Sequence, residues 1–281
     1  MTRIFAFALM AFLLPCLSFA QQSEGLAEVK GIEIAYRLMG RETGAPLLFI
    51  QSVGGVTPAG PDALTQALVD EGYRVILFDN RDAGASTHIT EAGTPNFAAI
   101  GQALAAGDDP PVPYTLDDMA GDAVGLLDAL GIGRAHVVGG SLGGMIAQIV
   151  AAEHPERVAS LTLISSSTSN PDLARGEPPM DDGEMDAGLL RQAAAASVAG
   201  DLRQRSARIA AATVVVHGDR DELFPIAHGE DLAAIIPGAR LVIVAGMGHT
   251  PADEHAPMIF DAIHSFVSPD ADDLSPARAG P

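Results

Sequence analysis

A serine hydroxyl attacks a carbonyl carbon at neutral pH only when a histidine takes its proton and a carboxylate fixes that histidine's tautomer. The segment Ala135-His-Val-Val-Gly-Gly-Ser-Leu-Gly-Gly144 supplies such a serine. A short apolar run, Val137-Val138, enters a G-x-S-x-G pentapeptide from Gly139 to Gly143, and Leu142, Met145, Ile146, Ile149 and Val150 then follow helical spacing. A serine caught between a strand and a helix sits in a tight turn that only small neighbours permit, and its hydroxyl is pushed outward. Ser141 is therefore the candidate nucleophile.

The base and the acid should follow in chain order, acid first. Of the eight histidines, His249 lies just past the apolar run Leu241 to Val244, in the loop Gly246-Met-Gly-His249. His217 ends a strand-like run and His136 begins one, which suits packed or edge residues, and His154 precedes a proline at a helix end. The acid loop His217-Gly-Asp-Arg-Asp221 offers two carboxylates. Asp219 directly follows Gly218 and suits the turn itself, whereas Asp221 reaches further into the loop, so Asp221 is the favoured acid.

A tetrahedral intermediate also needs two N–H donors aimed at its oxyanion. The backbone of Leu142, at the start of the helix after Ser141, is one candidate. Val53, in the loop Gln51-Ser-Val-Gly-Gly55, is the other, because Gly54 and Gly55 let the backbone come close. The glycines of 139–144 lack the G-x-G-x-x-G spacing and the lysine of a phosphate-binding loop, and no H-E-x-x-H pattern suggests a metal. No cofactor and no metal are expected.

These residues need a frame that brings strand ends together. Leu26–Lys30 and Ile32–Leu38 read as a hairpin turning at Lys30-Gly31. Pro46–Gln51, Arg74–Phe78, Ser160–Ser165, Thr213–His217 and Arg240–Ala245 read as further strands. Helices are expected at Pro61–Glu71, after the capping box Thr115-Leu-Asp-Asp118, after Ser141 as far as His154-Pro155, and at about Pro257–Val267. Alternation of this kind gives an α/β fold, a mostly parallel central sheet with helices on both faces. Ligands bind beyond the carboxyl ends of such strands, where Ser141 falls. The stretch 87–113 reads as a loop with a short helix, and 168–212 as a reduced helical cap.

Composition narrows the partners. Residues 1–20 carry Arg3, the apolar run Ile4–Leu14 and a small-residue end at Ser18-Phe19-Ala20, the pattern of a secretory signal peptide cut after Ala20. The expected location is the periplasm or the exterior, with no membrane span after cleavage. The domain then covers 21–267, and the polar, proline-rich 268–281 reads as a disordered tail. Cys16 is the only cysteine, so disulfides and thiolate chemistry are excluded from the cleaved chain. A net charge of -20 repels phosphate backbones, and no nucleic acid partner is expected. Oligomeric state is not legible.

Across about Leu26 to Val267 the chain resembles the α/β-hydrolase superfamily. Asp79-Asn-Arg-Asp-Ala-Gly-Ala-Ser86 matches the family loop D-x-R-G-x-G-x-S with Asp82 at a glycine position, and His217-Gly-x-x-Asp221 and Gly248-His249 match its acid and histidine loops. Gln51-Ser-Val-Gly-Gly, Phe78-Asp-Asn-Arg-Asp-Ala-Gly and Gly246-Met-Gly-His make it similar to the branch that includes aclacinomycin methylesterases. The resemblance implies hydrolysis of a small-molecule ester through an acyl-enzyme, without cofactor. Two departures stand out. Gln51-Ser52 replaces the family's His-Gly, and the cap is short, so the branch's substrate does not transfer. A perhydrolase, acyltransferase, lactonase or carbon–carbon hydrolase would use the same three residues, and a non-catalytic binding protein would keep only the fold. Serine at the elbow argues against haloalkane dehalogenases and epoxide hydrolases, which carry aspartate there.

Overall fold

A computed structural model describes residues 22–169 and 186–265. The expected signal peptide, the tail from 268 and the first part of the cap, 170–185, lie outside the described residues.

Eight strands form one sheet in the order β1-β2-β4-β3-β5-β6-β7-β8. β1 (Ser23–Val29) and β2 (Ile32–Met39) make the expected antiparallel hairpin. It turns through Lys30 and Gly31, both at positive φ. β2 also runs antiparallel to β4 (Tyr73–Phe78). From there β3 (Ala45–Ile50), β5 (Ala135–Gly140), β6 (Val158–Ile164), β7 (Ala212–Gly218) and β8 (Arg240–Val244) are all parallel. The inner parallel strands are mainly apolar because both of their faces are covered.

One face packs under α1 (Ala63–Glu71) and α8 (Ala256–His264), with Leu47, Val75, Val138 and Val216 meeting Leu68 and Ile259. The other packs under α3 (Leu116–Ala129) and α4 (Leu142–Glu153), with Leu48, Ile50, Val137 and Leu161 against Met119 and Ile146. Local chemistry sets the helix ends. Thr115 and Asp118 form the expected capping box at α3. α1 begins two residues later than the expected Pro61, because Asp62 caps it and accepts from Thr65 N–H, leaving Pro61 outside the helix.

The two irregular stretches pack on each other. α2 (Phe97–Ala106) lies within the long segment after β4, and Phe97 and Ile100 bury against Leu190, Ala193 and Ala194 of α5 (Ala187–Ser197). The single turn α6 (Arg203–Ser206) follows, tied to α4 by Ser206 Oγ donating to Gln148. α7 (Ala227–Ile235) links β7 to β8. Among the described residues no helix is long and apolar enough to cross a membrane.

Candidate active site

The turn from β5 into α4 is set by close backbone approach. A Cβ on Gly143 would overlap the carbonyl oxygen of Ile50, and one on Gly139 would overlap that of Gly143. With both neighbours reduced to glycine, the chain folds back at Ser141 with φ 51° and ψ −117°. That conformation costs of order 1–3 kcal/mol for a non-glycine residue and persists only where the surroundings enforce it. Two bonds hold it: Ser141 N–H donates to Ile164 O at 2.9 Å, and Ser166 Oγ donates to Ser141 O at 2.9 Å.

Ser141 Oγ meets His249 Nε2 at 2.9 Å, and His249 Nδ1 lies 2.9 Å from Asp221 Oδ2 and 3.1 Å from Oδ1. Residues 141, 221 and 249 thus converge into one hydrogen-bonded chain. The imidazole remains partly exposed (23%), while the Asp221 carboxylate is fully enclosed. A buried carboxylate needs further donors. The backbone N–H groups of Leu223 and Phe224 donate to Oδ1 at 3.0 and 2.8 Å. Phe224 also meets the His249 ring edge-on, its centroid 5.3 Å away, which limits rotation of the base.

The loops carrying acid and base are stitched to each other. Asp219 Oδ1 accepts from Gly246 N–H at 2.7 Å, and Arg220 N–H donates to Met247 O at 3.0 Å. Asp219 therefore braces the histidine loop rather than its own turn, and Asp221 is the carboxylate that meets His249. Two further strand-end histidines, His136 and His217, and His228 of α7 have structural partners. His136 pairs with Ser160 Oγ at 2.9 Å inside the sheet, and burial pushes its pKa down to about 4, with Arg134 adding to the shift. His217 is fully buried behind Asp221, its Nε2 2.7 Å from Phe224 O and 3.5 Å from Asp221 Oδ2. His228 pairs with Ser167 Oγ at 2.8 Å, and burial, then His217, lowers its pKa.

A cleft of about 520 Å³ opens over Ser141 and His249. Phe49, Leu77, Ile164 and Ile259 make an apolar wall between α1 and α8, and Val53, Val56 and Leu223 stand exposed at its rim. Val53 lies on the same cleft as Ser141. Leu142 is the first residue of α4, so its N–H has no acceptor within the helix and points out at the positive end of the helix dipole. Among the described residues no three His, Cys, Asp or Glu side chains are grouped as metal ligands.

Asp82, at the position where the family loop carries glycine, has φ 66° and is buried. Its carboxylate takes a two-pronged ion pair from Arg191 of α5, at 2.6 and 2.8 Å, and Ile89 N–H donates to it at 2.7 Å. Burial alone would raise the Asp82 pKa, but the bonds from Arg191 and Ile89 N–H hold it below its ordinary value. The departure from glycine was the one sequence signal for this anchor. Its partner Arg191, and Gln192 beside it, carried none.

The alpha/beta hydrolase fold family model matches residues 45–197. Rhodomycin D methylesterase of Streptomyces peucetius is 33% identical over 147 residues, which cover 50% of this chain and 43% of that enzyme. The chain thus spans less than half the length of that relative. The 2-hydroxymuconate semialdehyde hydrolase of Pseudomonas putida is 27% identical over 266 residues, covering 80% of this chain and 88% of that one. Among solved structures, a hydrolase from Pseudomonas aeruginosa PA01 superposes with a TM-score of 0.66 at 28% identity, over 86% of this chain and 97% of that one. An elbow serine at the carboxyl edge of a mostly parallel sheet, and a family match running through it, lead to one conclusion: the chain belongs to the α/β-hydrolase family.

Proposed function

We propose that this hydrolase cleaves carboxylic esters of small, uncharged acids through an acyl-enzyme on Ser141. The observation that carries the reading is the unbroken chain from Ser141 Oγ through His249 to the enclosed Asp221, opening on a cleft with an apolar wall. His249 Nε2 takes the hydroxyl proton as Oγ bonds to the ester carbon. The carbonyl electron pair moves onto oxygen, where the N–H groups of Val53 and Leu142 receive it. Collapse expels the alkoxide, which leaves with the proton from His249. Water then repeats the sequence on the acyl-enzyme, and Ser141 recovers its proton.

Charge favours esters over carbon–carbon cleavage of acidic substrates. The described residues lining the cleft include Asp62 and Asp253 but no lysine or arginine. A carboxylate-bearing substrate, as the name of the Pseudomonas putida relative denotes, would find no lysine or arginine among the described lining residues to pair with, against a chain of net charge -20. We assign the protein to the periplasm or the exterior on the strength of residues 1–20; an exported chain beginning at Gln21, read by mass spectrometry, is the expected result.

The test is labelling with a fluorophosphonate and peptide mapping, beside turnover of p-nitrophenyl acetate, butyrate and octanoate, a lactone, and peroxide with acetate. Label on Ser141 and ester turnover above the rest is the expected result. Folded protein that takes no label ends the reading, and lactone or peroxide turnover exceeding all esters replaces it.

A further inference from the structure

Helix α5 touches the loop that carries Val53, and it does so through one fully buried amide. Gln192 Oε1 accepts from Gly54 N–H at 2.8 Å, and Gln192 Nε2 donates to Arg81 O at 2.7 Å. One side chain therefore ties the loop after β3 to the loop after β4. Gly54 has φ +64°, and a Cβ built there would lie 2.7 Å from Leu189 Cδ1, so α5 also presses on this loop sterically. The helix cannot slide. Arg191 is paired with Asp82 on two atoms and donates to Gly93 O at 2.8 Å, and a Cβ on Gly188 would overlap Asp82 O.

We propose that Gln192 is a positioning residue for the oxyanion donor. By holding the N–H that follows Val53 in the chain, it fixes the peptide orientation from which Val53 N–H faces the reacting carbonyl oxygen. The inference rests on the esterase reading above. It explains how Gln51-Ser52 can replace the family's His-Gly: the loop is oriented from α5, by a residue far along the chain. The short cap helix thus acts on the chemistry through the loops it holds.

The two hydrogen bonds give distinct variants. Gln192→Met keeps the bulk and removes both bonds. Gln192→Glu keeps the acceptor for Gly54 and, while its buried carboxyl is protonated, the donor to Arg81 O. With p-nitrophenyl butyrate, Q192M should lose about 10- to 100-fold in kcat with KM within about threefold, less than outright loss of an oxyanion donor. Its affinity for a trifluoromethyl ketone, which forms an oxyanion on Ser141, should fall by the same factor. Q192E should stay within about fivefold of the parent near neutral pH, as an isosteric amide replacement that keeps both bonds. Wild-type kcat in Q192M, equal losses in both variants, or a change confined to KM overturns the proposal. If Q192M does not fold by circular dichroism, Q192E decides alone. Its kcat should decline at alkaline pH relative to the parent as the carboxyl ionises, and parallel profiles overturn the proposal. Parent protein that neither hydrolyses the ester nor labels at Ser141 would instead refute the esterase reading itself.

Discussion

Ser141 and His249 reach the same point by different physics. Ser141 is held by steric exclusion: backbone packs so closely around it that Gly139 and Gly143 have no room for a Cβ. His249 and Asp221 are held by hydrogen bonds between two loops, through Asp219, Arg220 and the N–H groups of Leu223 and Phe224. Sterics tolerate almost no substitution and leave a motif. Hydrogen bonds between loops leave shorter, looser patterns, here His217-Gly-x-x-Asp221 and Gly248-His249. The family match mirrors this contrast, since it covers 45–197 and so includes the elbow but neither 221 nor 249.

The contrast can be broken first at its chemical centre. Ser141→Ala should lower kcat on the order of 10⁶-fold, as in serine hydrolases deprived of the nucleophile. Spectrophotometry with a p-nitrophenyl ester reads this, and near-parental turnover would remove Ser141 from the mechanism. Asp221→Asn keeps the shape but favours the wrong histidine tautomer, so kcat should fall about 10⁴-fold with the fold intact. A loss below tenfold would mean that His249 is oriented by something else.

Stability sharpens the same comparison. Gly143→Ala drives a methyl into Ile50 O and should cost about 3 kcal/mol or more in urea unfolding, at the upper end of overpacking penalties. Asp219→Ala on the hydrogen-bonded side should cost only about 1 kcal/mol, the loss of one exposed bond to Gly246. Equal losses would erase the distinction between steric and hydrogen-bonded support.

Between these lies a pH effect at the opposite end of β5. Burial holds His136 neutral in the folded chain, with a pKa of about 4, whereas the unfolded chain protonates it near 6.5. Its contribution is complete above about 6.5 and is lost as pH falls toward 4, to a total of about 3 kcal/mol. In His136→Gln that part of the acid destabilisation should vanish from the urea midpoint measured across this range. An unchanged pH slope would mean that His136 takes its proton in the folded state.

Much of the frame was legible beforehand. The strands are legible because runs buried on both faces are mainly apolar, and the capping box announces α3 through its own local chemistry. Helix starts are harder to read: Pro61 suits a first helical turn, but α1 begins two residues later, after Asp62, whose carboxylate accepts from Thr65 N–H. Asp219 looked like a turn residue because glycine neighbours invite that role. Its true partner, Gly246, is close only in space. The cap was legible as a helical stretch but not as a contact surface.

What the sequence determined by itself is the set of residues whose conformation is fixed by near neighbours: the elbow serine between its glycines, the hairpin, the capped helices and the order serine, aspartate, histidine. Only the tertiary structure decided which aspartate meets His249, that Arg191 closes on Asp82, and that Gln192 holds the loop of Val53. The physical reason is range. Backbone sterics act over a few residues and are written locally, whereas a buried ion pair or amide needs a partner about a hundred positions away, and chain order carries no record of who that partner is.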